Sequence, residues 1–201
     1  MADLVNYDSA STVRAARALY FERNGFGDGG YDLAWVPVKV GPAELVIRNS
    51  ASRVRSVRLH DLHHIATGYP TTLEGEALIA AWELASGCRD HWAAWFLNAN
   101  AFCFGLVLAP RSLWRAFVRG RHSKNLYVGE FHEDLLDGSV GELRGRLGVD
   151  VPHEATAADR IVFALWVGFG LYLLAWNVAL APALAVATIV YKVGRRGRAA
   201  A

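Results

Sequence analysis

The chemistry this sequence offers is concentrated in the run His60-Asp61-Leu62-His63-His64, with Glu76 and Glu83 following it. On a helix His60 and His64 stand at i and i+4, so their imidazoles share one face a turn apart. That is how the HExxH type of helix presents two nitrogens to a divalent metal. Asp61 adds an oxygen at the edge of the same face. Glu76 comes after the turn Gly68-Tyr69-Pro70, at the start of the next helix, and reaches the same point if the two helices pack antiparallel. Two nitrogens and two oxygens of this kind suit Zn2+ first and iron or manganese second. A lone HD dipeptide says little, since histidines are often hydrogen-bonded core or surface residues. Here three of the seven histidines fall within five residues, with carboxylates at both ends.

The elements that must position these groups are helical. Residues 51–67 form the histidine-bearing helix, with Arg53, Arg55 and Arg58 on its first turns. Thr71-Thr72-Leu73-Glu74 reads as a capping box with Thr71 as N-cap, opening a helix that runs to Ala85 and stops at Gly87. Glu83 lies seven residues after Glu76 and projects from nearly the same face. It is either a partner that orients a histidine or a surface acid. His63 points about 100° away from the His60–His64 pair and is a candidate proton shuttle or supporting contact; it could equally do nothing.

His60-Asp61-x-x-His64, eleven residues, then Glu76 resembles the HDxxH-x11-E signature of the COQ4 family of coenzyme Q (ubiquinone) biosynthesis proteins. The resemblance runs from Leu59 through His64, Gly68-Tyr69-Pro70-Thr71, Gly75-Glu76 and Trp82-Glu83. It resumes weakly at Asn125-Leu126-Tyr127 and from Glu142-Leu143-Arg144 to Leu147-Gly148-Val149, so it covers roughly residues 55–150. The first fifty residues and the last forty-five do not look like the family's common core. The resemblance implies a mostly helical, all-α bundle in which His60, Asp61, His64 and Glu76 hold the metal. It also implies a step at ring carbon C1 of a polyprenylated aromatic precursor, where a carboxylate is lost and a hydroxyl takes its place. Other quinone biosynthesis proteins and a second copy of the chain are the partners it suggests.

With 201 residues the chain is one domain with an appendage, long enough for a core. We place the metal-binding domain at 1–155 and a hydrophobic segment at 156–201. The hydrophobic fraction, 53% with seven tryptophans, is high for a soluble protein, and mean hydropathy is positive. Cys88 and Cys103 sit in apolar surroundings and read as reduced core residues rather than a disulfide or zinc pair. A net charge of +2 comes with no aromatic-plus-basic platform and no DNA-binding motif, so nucleic acid is not an expected partner. The N-terminal residues lack the basic and apolar regions of a cleaved signal peptide.

Before the histidines, residues 10–23 read as an amphipathic helix with Ser9 or Ser11 as N-cap and Asn24-Gly25 as its stop. A glycine-rich loop follows. Ala34 to Val40 and Glu44 to Ile47 could pair as a small β-hairpin across Gly41-Pro42, a flap over the site or, more simply, a structural arm. After the site, Trp92 to Ala109 is nearly uncharged. Asn98 and Asn100 in its middle predict a buried central helix rather than a span, although small residues along it could wall a channel for an isoprenoid tail. Arg111, Arg115 and Arg119, at i, i+4 and i+8 around Trp114, give either a membrane-interface face meeting lipid phosphates or a solvated basic face. Ser139-Val140-Gly141-Glu142 is a second capping box, opening a short helix that ends at Gly148.

Ile161 to Ala181 carries no charge, and a basic tail of Lys192, Arg195, Arg196 and Arg198 closes the sequence. Two membrane topologies fit: a single kinked span, with the basic tail in the cytoplasm and the domain outside, or, as we prefer, a helical hairpin turning near Asn177 to Pro182; a soluble core helix is the weakest option. The hairpin would keep domain and tail together on the cytoplasmic face of the inner (cytoplasmic) membrane, as the positive-inside rule requires without exporting the domain.

Two functions follow. One is a metal-dependent oxidative decarboxylase (lyase) acting on a membrane-borne polyprenyl-benzoate. The other is a non-catalytic, metal-containing lipid-binding scaffold that organises quinone or other lipid biosynthetic enzymes; four filled ligands would favour it. HD-type phosphohydrolases need a histidine before the HD pair, and none precedes His60. Membrane di-iron enzymes share an HxxHH box but need further boxes, whereas His91, His122, His132 and His153 are scattered singly.

Overall fold

In a computed structural model the backbone is described over residues 3–40 and 43–199, with side-chain surroundings outside 37–45 and 181–199. It is a helical bundle with one small two-stranded sheet. The order is α1 (Val13–Asn24), β1 (Trp35–Val40), β2 (Ala43–Arg48), α2 (Ala51–Thr67), α3 (Leu73–Ser86), α4 (Trp92–Leu108), α5 (Pro110–Arg121), α6 (Val140–Leu147) and α7 (Ala157–Ala199). The mostly-α class expected from the sequence is what the structure shows.

Local chemistry explains the boundaries. The side chain of Ser50 accepts from the Arg53 N–H to open α2, and Gly68 closes it at φ 78°, a left-handed turn that favours glycine. At α3 the N-cap is Thr72, which accepts from the Gly75 N–H; Thr71, the expected cap, instead donates to the Asn24 side chain. At α1 the cap is Thr12, one residue past the expected serines, because Ser11 turns back to the Asp8 carbonyl. The capping box at Ser139 forms as expected. β1 and β2 pair antiparallel in the register Trp35↔Arg48 and Val36↔Ile47. Both strands are edges, so the absent N–H of Pro37 costs little. The turn residues Gly41 and Pro42 lie outside the described residues.

The core centres on α3, which packs against α4 and α5. Ala77 to Leu84 are all buried, and Trp82 is fully enclosed with its indole N–H donating to Ser123 Oγ at 2.8 Å. Gly120 lets α5 close onto α3: a Cβ there would fall on the Trp82 carbonyl. Cys88 and Cys103 are buried free thiols.

Two expectations fail. First, α4 is not a buried central helix. One face packs on α3, but Trp92, Phe96 and Val107 are 75%, 70% and 67% exposed. Its asparagines do not resist exposure of that face, since Asn98 turns inward to protein and Asn100 pairs with another helix. Second, the C-terminal hairpin does not form. α7 is one helix from Ala157 to Ala199, with Pro182 inside it and no turn near Asn177. A proline removes one helical hydrogen bond and bends a helix, whereas a reversal strands several backbone groups that an apolar segment cannot satisfy. Placement on the cytoplasmic face rested on that turn. The first half of α7 packs on α4 and α5, so 156–180 is continuous with the bundle.

Candidate metal centre

α2 and α3 bring three ligand atoms together, one each from His60, His64 and Glu76, all within 4.8 Å of one another. The two histidines share a face of α2. Glu76 reaches them because Gly75 has no side chain: a Cβ there would overlap the Pro70 carbonyl, so only glycine lets the turn 68–72 lie this tightly on α3. His64 is 1% exposed, His60 19% and Glu76 38% at the side chain, so the cluster is reached from one side.

The hydrogen bonds fix the tautomers. His60 Nδ1 lies 2.8 Å from Glu83 Oε1 and His64 Nδ1 lies 2.7 Å from the Tyr69 carbonyl. Both partners are acceptors, so both Nδ1 atoms carry the proton. The Nε2 atoms are left with lone pairs, 3.1 Å apart, with Glu76 oxygens 3.5 Å from His60 and 3.4 Å from His64. Two lone pairs and a carboxylate facing one another require a cation between them, either a proton or a metal ion. Burial disfavours the charged His60, yet Glu83 and Glu76 outweigh it and hold its pKa well above the usual histidine value. Burial would likewise raise Glu76, but His64 and then His60 hold it below the usual carboxylate range.

Glu83 is the hub behind the cluster. It is fully buried and takes four donors: His60 and His63 on Oε1 at 2.8 and 2.6 Å, Asn98 Nδ2 and the Tyr127 hydroxyl on Oε2 at 2.5 and 2.9 Å. Four donors fill a carboxylate's capacity and keep it ionised, against the upward push of burial. Such a carboxylate behind a histidine fixes ring orientation and raises ligand basicity. His63 is fully enclosed between Trp82 and Tyr127, and its Nε2 accepts from the Leu126 N–H at 2.9 Å. Neither of its nitrogens is open to carry a proton to a ligand, and it is a rigid support for Glu83.

Asp61 lies beside the triangle rather than in it. It accepts from the Tyr31 hydroxyl at 2.5 Å and the Tyr20 hydroxyl at 3.3 Å, and burial raises its pKa. Tyr20 also stacks on the His64 ring, centroids 5.5 Å apart. The Arg58 guanidinium lies over Tyr31 and Phe131, at 5.0 and 5.3 Å. No spacing links Asn98, Tyr127, Tyr20 and Tyr31 to the motif; the available hints are the two asparagines in an apolar helix and the weak resemblance at Asn125-Leu126-Tyr127.

The basic stripe divides. Arg119 is internal, its Nε donating to the Val149 carbonyl and an Nη to the Thr67 carbonyl, with the guanidinium over Tyr69. Arg111 and Arg115 are exposed, and Trp114 packs edge-on against Phe163.

The fold and cluster define a mostly helical protein with a two-histidine, one-carboxylate candidate metal centre. Sequence comparison carries this further. The chain is 30% identical over 116 residues to the ubiquinone biosynthesis protein coq4, mitochondrial, of Talaromyces stipitatus, and 31% identical over 117 residues to that of Aspergillus flavus; each match covers 51% of this chain and 36% of the relative. The COQ4 protein of Eremothecium gossypii is 30% identical over 109 residues, 47% of this chain and 30% of its own. Over that matched half, the chain is similar to the COQ4 proteins. It spans about a third of the length of these curated relatives. No protein-family model and no solved structure matches it.

Proposed function

We propose that this chain serves ubiquinone biosynthesis as a metal-dependent protein acting on a membrane-borne, polyprenylated aromatic precursor. The observation that carries the metal is the pair of facing Nε2 atoms, each with its proton locked on Nδ1, beside an ionised Glu76. Two imidazoles and one carboxylate are shared by catalytic zinc sites and by non-haem iron sites. Three convergent ligands leave a position for a substrate atom, which favours catalysis over a closed structural site. A divalent ion there would supply Lewis-acid polarisation of a ring carboxylate or phenolate.

The reaction this reading assigns is replacement of the C1 carboxylate by hydroxyl. The bond from C1 to the carboxyl carbon breaks and carbon dioxide leaves; one atom of molecular oxygen forms the new C–O bond and the other leaves as water, taking two electrons and two protons from an external reductant. The chain's own residues hold the geometry: Glu83 orients His60, and the Tyr69 carbonyl orients His64. Asp61 is the remaining candidate for a fourth ligand. Among the described residues the 24-residue stretch Ala157–Leu180, uncharged from Ile161 onward, is long enough to cross a bilayer, about 36 Å of helix against a core of about 30 Å, which suits a lipid substrate.

The test is elemental analysis of purified wild type and His64→Ala, with complementation of a strain lacking its COQ4 function. Stoichiometric metal and complementation, both lost in the variant, support the enzyme. Metal lost with complementation kept makes the chain a scaffold whose site is dispensable. A metal-free wild type from chelator-free preparation overturns the reading.

A further inference from the structure

The exposed apolar surface is not confined to α7. On α4, Trp92, Phe96, Leu97, Val107 and Leu108 are between 43% and 75% exposed, and on the adjoining α7 Leu165, Tyr172 and Trp176 are 70%, 64% and 56% exposed. The helices are packed together. Trp95 stacks on Trp166 at 6.0 Å and 12°, and Phe102 meets Phe163 edge-on. Gly170 allows the approach, since a Cβ there would lie 2.8 Å from the Leu106 side chain.

Both amide side chains of α4 find partners inside the protein, as a lipid environment demands. Its only amide side chains are Asn98 and Asn100. Asn98 turns inward to Glu83. Asn100 Oδ1 accepts from Asn177 Nδ2 at 3.1 Å, and its own Nδ2 donates to the Phe96 carbonyl at 2.8 Å; Asn177 Nδ2 also donates to the Leu173 carbonyl. Amides facing water need no such partners, whereas in hydrocarbon each donor must find one inside the protein. Exposed Arg111 follows the end of α4 directly. Arg160 opens α7 beside Trp114 and Phe163, a basic and aromatic rim at the border of the apolar surface.

We propose that α4 is a second membrane-seated helix, its outer face lying in the acyl chains of a phospholipid bilayer beside α7. With 17 residues, about 25 Å, it is too short to cross and lies partly inserted. The inference rests on α7 being embedded, as in the function proposed above, but not on the metal. It makes α4 a wall with two faces: Phe96 and Val107 toward lipid, Asn98 toward the carboxylate that orients His60.

The test places a polarity-sensitive fluorophore on Phe96→Cys, Val107→Cys and Leu165→Cys in the full-length chain, reconstituted in phosphatidylcholine/phosphatidylglycerol vesicles. Cys88 and Cys103 are fully enclosed, so the unsubstituted chain is the labelling blank. Quenching by a nitroxide on the lipid acyl chain is compared with quenching by aqueous iodide. The expected result is that the two α4 probes lose most of their emission to the acyl nitroxide and almost none to iodide, as Leu165 does. Iodide quenching at Phe96 and Val107 with lipid quenching kept at Leu165 overturns the proposal and leaves α7 as the anchor. Protection of the α4 probes from both quenchers overturns it in favour of a protein cover. Iodide quenching at Leu165 as well overturns the embedding of α7 itself. Two sites at opposite ends of α4 keep the test alive if one variant fails to fold.

Discussion

Asn98 Nδ2 lies 2.5 Å from Oε2 of Glu83, joining the apolar helix α4 to the carboxylate behind the candidate metal centre. Asn98→Ala removes one of four donors from a fully buried anion. The expected loss is about 1–3 kcal/mol of stability, the cost of an unpaired buried polar group. A thermal or urea unfolding midpoint equal to wild type would show that Glu83 does not depend on it.

Glu83→Gln keeps the shape and removes the charge. His60 and His63 then share an amide oxygen in place of a carboxylate, and Asn98 and Tyr127 face an amide nitrogen that needs acceptors. Stability should fall by about 3–5 kcal/mol, as when one member of a buried charged set is removed. In the fraction that folds, metal affinity should drop about 10–100-fold although no ligand has changed. Competition against a chromophoric chelator reads this directly, and wild-type affinity would reduce Glu83 to a packing residue.

Gly75→Ala tests the turn that delivers Glu76. The new methyl would overlap the Pro70 carbonyl, so either the turn or the start of α3 must shift. Such overpacking costs about 1–3 kcal/mol. We expect metal affinity to fall with it, because Glu76 is the next residue. Retained affinity with lowered stability would show that Glu76 follows α2 rather than its own helix.

Asp61→Asn separates a ligand from a neighbour. Its carboxylate accepts from Tyr31 and Tyr20, so the variant should keep stoichiometric metal while the tyrosine contacts loosen. Loss of metal from a folded Asp61→Asn protein would make Asp61 the fourth ligand that the HDxxH pattern suggests.

The faces that carry the candidate ligands were legible in the sequence because they are local. His60 and His64 are one turn apart, and Glu76 follows a short turn with threonine capping, so the spacing alone brings them close. Glu83 was legible as a position but not as a hub, since its burial depends on α4 and on Tyr127. The tyrosines on Asp61 come from α1 and from the loop after it, and no periodicity announces contacts that long in sequence. α4 was misread because an uncharged helix looks alike whether it is wrapped by protein or exposed on one face. The hairpin failed for a related reason: Asn177 and Pro182 resemble a turn, but the asparagine is occupied by Asn100 and a proline can sit inside a long helix.

Asn177→Leu probes that pairing. Interhelical hydrogen bonds of this kind contribute about 0.6–1.7 kcal/mol in membranes. The variant should unfold earlier in detergent by a margin of that size, with metal content unchanged. A loss of metal would mean that α7 helps hold the centre together.

The Asn100–Asn177 bond also acts as a draught mark. It ties one level of α7 to one level of the bundle, so the helix cannot slide along its axis without breaking the one hydrogen bond that joins the two amides. With α7 embedded as proposed, the height of the candidate metal centre above the lipid would be written into the protein rather than set by the bilayer. A thicker membrane would tilt the whole bundle or draw lipid toward it, and the distance from His60 to the acyl chains would change little.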